Sequence, residues 1–322
     1  MASEHPMTDA TVVAVLTYRR NDDLATAVPA LLREAATITP PATVLVVDND
    51  PAAGAEPLVA PLAQQGVRYL HEPVPGIAAA RNRALREAGA RFLVFIDDDM
   101  HPADGWLAAL LRTQESTGAA VVAGPVLPEY ESEPDEWVQA GRFFIRRRLP
   151  TATRLDVAAS GNMLLDLPQI AACGVLFDHR FGMRGGSDHL FSRTLARMGA
   201  PMVWCDEAIA FDRVPVSRMT RRWILRRAYR SGNSQVLASL ALSASRTERL
   251  TVRARATAGG AARIVAGAAR TLAGVLMGAV VHRARGRRLL HRGAGMIAGA
   301  YGRAYVEYAR PSQSATTVLG AP

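Results

Sequence analysis

Residues Phe92 to Pro102 read F-L-V-F-I-D-D-D-M-H-P, an apolar run of strand length that ends in three consecutive carboxylates, Asp97, Asp98 and Asp99. A buried strand that delivers acidic side chains to its C-terminal end places them where open α/β sheets bind ligands, and carboxylates clustered there need a cation. Hard divalent cations such as Mg²⁺ or Mn²⁺ take oxygen ligands and share them with a substrate diphosphate. The triplet therefore points to metal-assisted chemistry on a nucleotide-linked substrate. The competing explanation is a solvated acidic turn that caps a helix starting near Ala103.

Positioning such a triplet requires a sheet, and the surrounding pattern supplies one. Strand-like runs at Val12 to Thr17, Val44 to Asp48, Val67 to His71, Phe92 to Asp97 and Ala120 to Gly124 alternate with segments of helical spacing. Those helical segments are Asp22 to Ala36, Glu56 to Gln65, Ile77 to Ala90 and Ala103 to Thr117. The alternation predicts an α/β fold, a Rossmann-like, mostly parallel sheet with helices on both faces. The run V-L-V-V-D-N-D at Val44 to Asp50 also ends in carboxylates, so two neighbouring strands face one crevice.

Beyond a polar, Pro-broken stretch from Pro125 to Pro150, strands are expected at Gly161 to Leu165 and Pro201 to Trp204. Helices are expected at Asp188 to Met198 and at Ser217 to Leu242. From Arg253 onward Gly and Ala dominate. The apolar segment Ala261 to Val281 is interrupted by Arg263 and Arg270 and is rich in residues that transfer weakly into lipid, so amphipathic helices lying on a surface are expected rather than a span. The resulting division is an N-terminal tail over 1–11, a catalytic domain over 12–215, its helical extension over 216–245, a basic Ala/Gly/Arg-rich helical segment over 246–310 and a tail over 311–322.

Charge is distributed as unevenly as structure. The 322 residues carry a net charge of +9, yet Arg246 to Arg310 alone holds 13 Arg against Glu248 and Glu307, more than the whole surplus. This basic extension suits an anionic membrane surface. Nucleic acid is disfavoured as a partner because the stretch lacks interleaved aromatics until Tyr301, Tyr305 and Tyr308. All 38 basic residues are Arg, which excludes Lys Schiff-base chemistry and a G-K-[ST] phosphate loop. Cys173 and Cys205 form no disulfide framework or metal-ligand spacing, and no secretory signal is evident from Met1 to Ala10. A cytoplasmic protein, peripheral at the inner face of the plasma membrane, is expected.

Five ordered segments carry a family resemblance: V-V-A-V-L-T-Y-R-R at Val12 to Arg20, V-L-V-V-D-N-D, G-I-A-A-A-R-N at Gly76 to Asn82, F-I-D-D-D, and G-G-S-D-H-L-F at Gly185 to Phe191. Together they resemble a family 2 glycosyltransferase of GT-A fold, of the bacterial type that builds exopolysaccharide or lipid-linked glycans. The resemblance covers roughly Val12 to Ser234 and implies an inverting transfer from a nucleoside-diphosphate sugar, expected to be UDP-linked, to a hydroxyl of a glycan or lipid-linked acceptor. It implies donor contacts at Thr17, Tyr18, Arg19, Asp48, Arg81, Asp97 and Asp98. Asp99 becomes the ligand of a Mg²⁺ or Mn²⁺ cofactor, and Asp188 the general base. Asn162, Trp106 and Ser187 are candidate acceptor contacts.

Two departures from the family pattern stand out. Ser187 occupies a position where relatives often have Glu, and Arg213, in A-F-D-R-V-P, stands where many have a metal-binding His. Arginine stays protonated and cannot ligate a metal, so Arg213 becomes a candidate phosphate contact instead. Met219 replaces the Gln of a processive Q-x-x-R-W motif ahead of Arg222 and Trp223, which disfavours processive polymerisation. The departures also keep open an inactive GT-A scaffold or a sugar-nucleotide-binding protein. A sugar nucleotidyltransferase would need an N-terminal Gly-rich loop and a Lys, both missing here.

Overall fold

The structure is a computed structural model that describes residues 8–303. Most of the expected N-terminal tail, the 311–322 tail, and the end of the basic segment with Tyr305 and Tyr308 lie outside the described residues.

The alternating pattern folds as β1 (Thr8–Thr17), α1 (Asn21–Ala35), β2 (Thr43–Asp48), α2 (Glu56–Val59), β3 (Val67–His71), α3 (Ile77–Glu87) and β4 (Ala90–Asp97). There follow β5 (Met100–Pro102), α4 (Trp106–Thr117), β6 (Val121–Ala123), β7 (Val126–Tyr130), α5 (Glu136–Gly141), β8 (Asn162–Asp166) and α6 (Leu167–Cys173). The chain continues through α7 (Ser187–Arg197), β9 (Met202–Trp204), β10 (Ala210–Val214), α8 (Arg221–Ala241), α9 (Arg246–Leu276) and α10 (Val280–Ala300).

Seven strands form one sheet in the order β3-β2-β1-β4-β8-β6-β9. β1, β2, β3 and β4 run parallel, in a register that pairs Thr17 with Asp48 and Leu16 with Asp97. The sheet is thus mostly parallel as expected, but β8 enters antiparallel between β4 and β6 and pairs Asn162 with Ile96. A second sheet, β5-β10-β7, forms from residues outside the expected strands. Each of these strands has only three to five residues, too few to show a period of two.

Strand alternation divides the core between the two faces. Val13, Val15, Val44 and Val46 pack with Leu24, Val28 and Leu31 of α1 and Trp106, Leu107 and Leu110 of α4. Val12, Ala14, Leu45, Val47 and Phe95 pack on the other face with Met163, Phe177 and Phe191. Leu24, Val28, Leu31 and Ala35 recur at helical spacing on α1 and all are buried, each large side chain contributing about 1.5–3 kcal/mol. α3 stops at Glu87 rather than Ala90 because Gly89 adopts φ +62° and turns the chain into β4.

The C-terminal helices pack against the rest of the protein. α9 and α10 form a hairpin, and α10 lies along α8 and touches α5. Gly260 and Gly267 on α9 meet Gly293 and Gly286 on α10 so closely that an added Cβ would stand 2.8 Å and 2.7 Å from the facing carbonyl oxygens. Gly232 of α8 meets Arg292, and Gly295 of α10 meets Tyr229, in the same fashion. The glycine richness after Arg253, read as a weak lipid-transfer signal, is therefore a packing code for close helix contact. Among the described residues no helix is long and apolar enough to cross a membrane.

Candidate active site

A cleft of about 890 Å³ opens at the C-terminal ends of β1 and β4, where α3, α7, α8 and α10 converge. Asp97, Asp98 and Asp99 form its floor. Gly161 makes room for them: a Cβ there would stand 2.6 Å from Asp97 Oδ2. Burial pushes Asp97 up to about 6, with Asp99 and Asp188 adding to the shift while Arg81 and Arg146 oppose it. Asp98 is pushed up to about 7 by burial and by Asp99 and Asp97, against the pull of Arg20 and a hydrogen bond from Thr17.

The three carboxylates have different partners. Asp98 accepts from Thr17 Oγ1 at 3.0 Å and from Arg20 Nη1 at 2.9 Å. Asp99 accepts from Arg20 Nη1 at 3.2 Å and from Arg218 Nη2 at 2.7 Å. Burial disfavours the charge on Arg20, but Asp98 and Asp99 outweigh it and raise the guanidinium above its ordinary value. Asp98 thus ties the end of β4 to Thr17 and Arg20, while Asp99 is held between Arg20 and Arg218 through Oδ2.

The loop after β1 makes a further choice. Thr17, Tyr18 and Arg20 line the cleft. Arg19 adopts φ +56° and turns its side chain to Asp50, which it meets at 3.2 Å outside the cleft. Asp48 is buried and engaged elsewhere, accepting from the backbone N–H groups of Asp50 and Ala55 at 2.8 Å each and from the Tyr69 hydroxyl at 3.0 Å. The expected donor contacts at Arg19 and Asp48 are therefore replaced in the lining by Arg20 and Asn49.

On the opposite wall Gly76, at φ +112°, starts α3 and presents Arg81. Arg81 is buried, donates to Ser187 Oγ at 2.7 Å and lies over the Phe177 ring at 5.3 Å. Ser187 is thereby engaged with Arg81, and both residues line the cleft. Asp188 occupies the first turn of α7 and lines the cleft, while Gly186, at φ +87°, is the helix cap. Gly186 makes no side-chain cap, and Asp188 Oδ1 accepts from the first-turn N–H of His189 at 2.8 Å. Ser160 Oγ, His189 Nε2 and Asp212 Oδ1 are buried polar atoms of the same cleft residues with no hydrogen-bond partner among the described residues.

The remaining wall is cationic. Asp212 of β10 pairs with Arg146 at 3.1 Å and Arg218 at 3.7 Å. Arg227 and Arg230 of α8 and Arg292 of α10 complete the lining. Arg227 lies over Phe144 and Trp223, and burial, then Arg146 and Arg230, pull it down to about 10. An anion in this part of the cleft would relieve that repulsion.

Three further expected contacts, besides Arg19 and Asp48, fall outside the cleft. Trp106 is fully buried and donates from Nε1 to Asn162 Oδ1 at 2.8 Å, while Asn162 donates to the carbonyls of Pro125 and Ala208. Both side chains are satisfied inside the core, so neither reaches an acceptor. Arg213 is exposed, because β10 alternates and turns Asp212 and Val214 inward. Arg218, five residues later, lines the cleft where Arg213 does not. Arg20, Arg146, Asp212 and Arg227 escaped the sequence reading; the conspicuous Arg20 beside Arg19 was the one available signal, since the others depend on which way a strand or helix faces.

The donor set suits a hard cation only in part. Among the described residues no three His, Cys, Asp or Glu side chains group closely enough to hold an ion by themselves. One or two carboxylates with substrate phosphates completing the coordination is the usual arrangement for Mg²⁺, and Asp99 and Asp97 fit it.

Comparison with known proteins agrees with this geometry. Residues 12–167 match the model of glycosyl transferase family 2. The chain is 31% identical over 229 residues to the succinoglycan biosynthesis protein ExoM of Rhizobium meliloti (strain 1021), covering 69% of this chain and 72% of that one. Among solved structures, the mannosyltransferase PcManGT of Pyrobaculum calidifontis, in complex with GDP-Man and Mn²⁺, aligns with TM-score 0.61 and 17% identity over 92% of this chain and 88% of that one. GalNAc-T7 with UDP, GalNAc and Mn²⁺ aligns with TM-score 0.57 and 12% identity over 78% of this chain, which spans half of that protein's length. The sheet, the helices around it and the C-terminal helical extension are those of a GT-A enzyme, and the chain belongs to glycosyl transferase family 2, a glycosyltransferase of the bacterial exopolysaccharide type.

Proposed function

We propose that the protein transfers a sugar, with inversion, from a UDP-linked donor to a hydroxyl of a glycan or lipid-linked acceptor. The observation that carries this reading is the meeting of Asp97 and Asp99, at the end of β4 and just beyond it, with Asp188 from α7 in one cleft that seven arginines also line. Asp188 takes the proton from the acceptor hydroxyl as its oxygen attacks the anomeric carbon from the face opposite the departing diphosphate. A positioned base of this kind contributes about 10²- to 10⁴-fold in rate. Asp97, not engaged by Thr17 or Arg20 as Asp98 is, hydrogen-bonds the donor ribose. Arg81 and Arg218 bring positive charge to the diphosphate. A Mg²⁺ or Mn²⁺ held by Asp99 would neutralise charge on the leaving group.

Membrane association belongs to the same reading. Every exposed residue between Ala256 and Met277 is Ala, Val, Leu or Met, and Val265, Leu272 and Leu276 are 69%, 60% and 79% exposed. Such a face, backed by arginines, suits the inner surface of the plasma membrane, where each Arg near anionic lipid contributes about 1 kcal/mol.

Nucleotide release from a panel of UDP-, GDP- and dTDP-sugars, with and without Mn²⁺, tests the transferase reading. Release from one donor, dependent on metal and lost in Asp99→Ala, is the expected result. Absence of both turnover and calorimetric binding across the panel would leave the inactive scaffold as the better description.

A further inference from the structure

A second cavity, of about 540 Å³, adjoins the active-site cleft and shares Arg146 and Arg292 with it. The loop after α5 contributes Arg142 and Arg147 to this trough, and α10 contributes Arg285 and Arg288. Arg270 reaches in from α9. No acidic side chain lines it, and the remaining walls are Gly141, Ile145 and Leu289. Seven guanidinium groups meet here and, among the described residues, Arg146 alone is paired with a carboxylate, so the others repel one another unless solvent or a ligand supplies the countercharge.

The local partners sharpen the point. Arg146 is paired with Asp212 on the cleft side, and Arg292 donates to Gln235 Oε1 at 3.1 Å. The Nε of Arg292 is buried with no protein partner. Burial, then Arg263, lowers Arg292 below its ordinary value, the direction produced by unneutralised positive charge. Arg270 meets His282 rather than an acid, and Arg288 lies over the Phe143 ring at 5.8 Å. Ile145, 49% exposed, supplies an apolar margin beside the guanidinium groups.

An anionic group with an apolar extension matches this combination better than a sugar does. Guanidinium forks recognise phosphate in bidentate fashion, and an aliphatic margin beside them favours a chain leaving the phosphate. We propose that the trough binds the diphosphate of a lipid-linked acceptor and so aims the acceptor's sugar end through Arg146 and Arg292 into the cleft. This deepens, and rests on, the transferase reading given above. The trough also lies on the α9–α10 hairpin, whose apolar outer face would bring it to the depth of lipid headgroups.

The test measures binding of farnesyl diphosphate, inorganic pyrophosphate and the best nucleotide sugar of the panel to the full chain, with Arg285→Gln/Arg288→Gln as the variant. Farnesyl diphosphate is expected to bind more tightly than pyrophosphate. In the variant its affinity should fall at least about tenfold, the loss of one charge-assisted hydrogen bond or more, with nucleotide-sugar affinity unchanged. Arg147→Gln, at an exposed loop position, provides the same reading should the double variant fail to fold. Equal farnesyl diphosphate binding by wild type and variant would overturn the proposal, as would an equal loss for the nucleotide sugar, which would assign the trough to the donor. Retention on phosphatidylglycerol vesicles lost in the variant while farnesyl diphosphate binding persists would assign it to bulk lipid headgroups, again overturning it. Failure of every nucleotide sugar to bind wild type would instead count against the transferase reading itself.

Discussion

In the sheet region α1 and α4 are held off the strands by the widths of Leu24, Leu31, Trp106 and Leu110, whereas α9 and α10 meet almost backbone to backbone at Gly260, Gly267, Gly286 and Gly293. The first region is stabilised by burying large apolar side chains. The second buries little such area and relies on many short-range dispersion contacts, so its long side chains are left to point outward or into the cleft. That difference divides the chemistry as well. The sheet region delivers the carboxylates, Asp97, Asp99 and Asp188, while α8 and α10 deliver Arg227, Arg230 and Arg292. The active-site cleft exists only where the two modes of packing meet.

The strongest test of that division is Asp188→Asn. It is expected to lower acceptor transfer by about 10²- to 10⁴-fold while leaving donor affinity and melting temperature intact, because asparagine keeps a side-chain oxygen that can accept the His189 N–H. A parallel loss of stability would show that Asp188 holds the sheet region together instead.

Gly267→Val probes the other region. The new side chain would meet the Gly286 carbonyl and the Leu290 backbone, and overpacking of this kind costs about 1–3 kcal/mol. Limited proteolysis should then open α9 and α10 first, with the sheet region still protected. Simultaneous cleavage throughout would mean that the two regions unfold as one cooperative unit.

Acid titration compares the regions through charge. Asp97 and Asp98 have folded-state values near 6 and 7, above those of an unfolded chain. The folded state therefore binds more protons between about pH 4 and 7, and stability must fall as pH rises through that window. The metal-free protein is expected to melt at a higher temperature at pH 5.5 than at pH 7.5 on account of these groups, and Mn²⁺ should stabilise it more at pH 7.5. A Mn²⁺ effect that is larger at pH 5.5 would contradict the assignment of the ion to this carboxylate cluster.

The smallest expected effect belongs to Arg213→Ala. Its side chain is exposed on β10, so stability should change by no more than about 0.5 kcal/mol and nucleotide release should be unaffected. A marked loss of donor affinity would return Arg213 to the phosphate site.

Much of this protein is readable along the chain because it is local. Long β-branched runs, helical spacing in α1 and α8, and an apolar strand ending in three Asp are properties of consecutive residues, and they account for the parallel half of the sheet and for the carboxylate floor. The direction in which an individual side chain points is different. Arg19 and Arg20 are neighbours of one type, yet the left-handed backbone at Arg19 sends one to Asp50 and the other to Asp98 and Asp99. Strand alternation turns Asp212 toward the cleft and Arg213 to solvent, and Trp106 donates to Asn162 in the core across 56 residues of sequence. The arginine wall is the extreme case: Arg292 reaches the cleft only because glycines let α10 lie flush along α8, a long-range packing event that no window of neighbouring residues encodes. Composition and periodicity determined the sheet, the acidic floor and the basic character of the extension, because these depend on local preference and hydrophobic pattern. Tertiary contact alone decided which carboxylates and arginines share one cleft, because that depends on distances between segments brought together by folding.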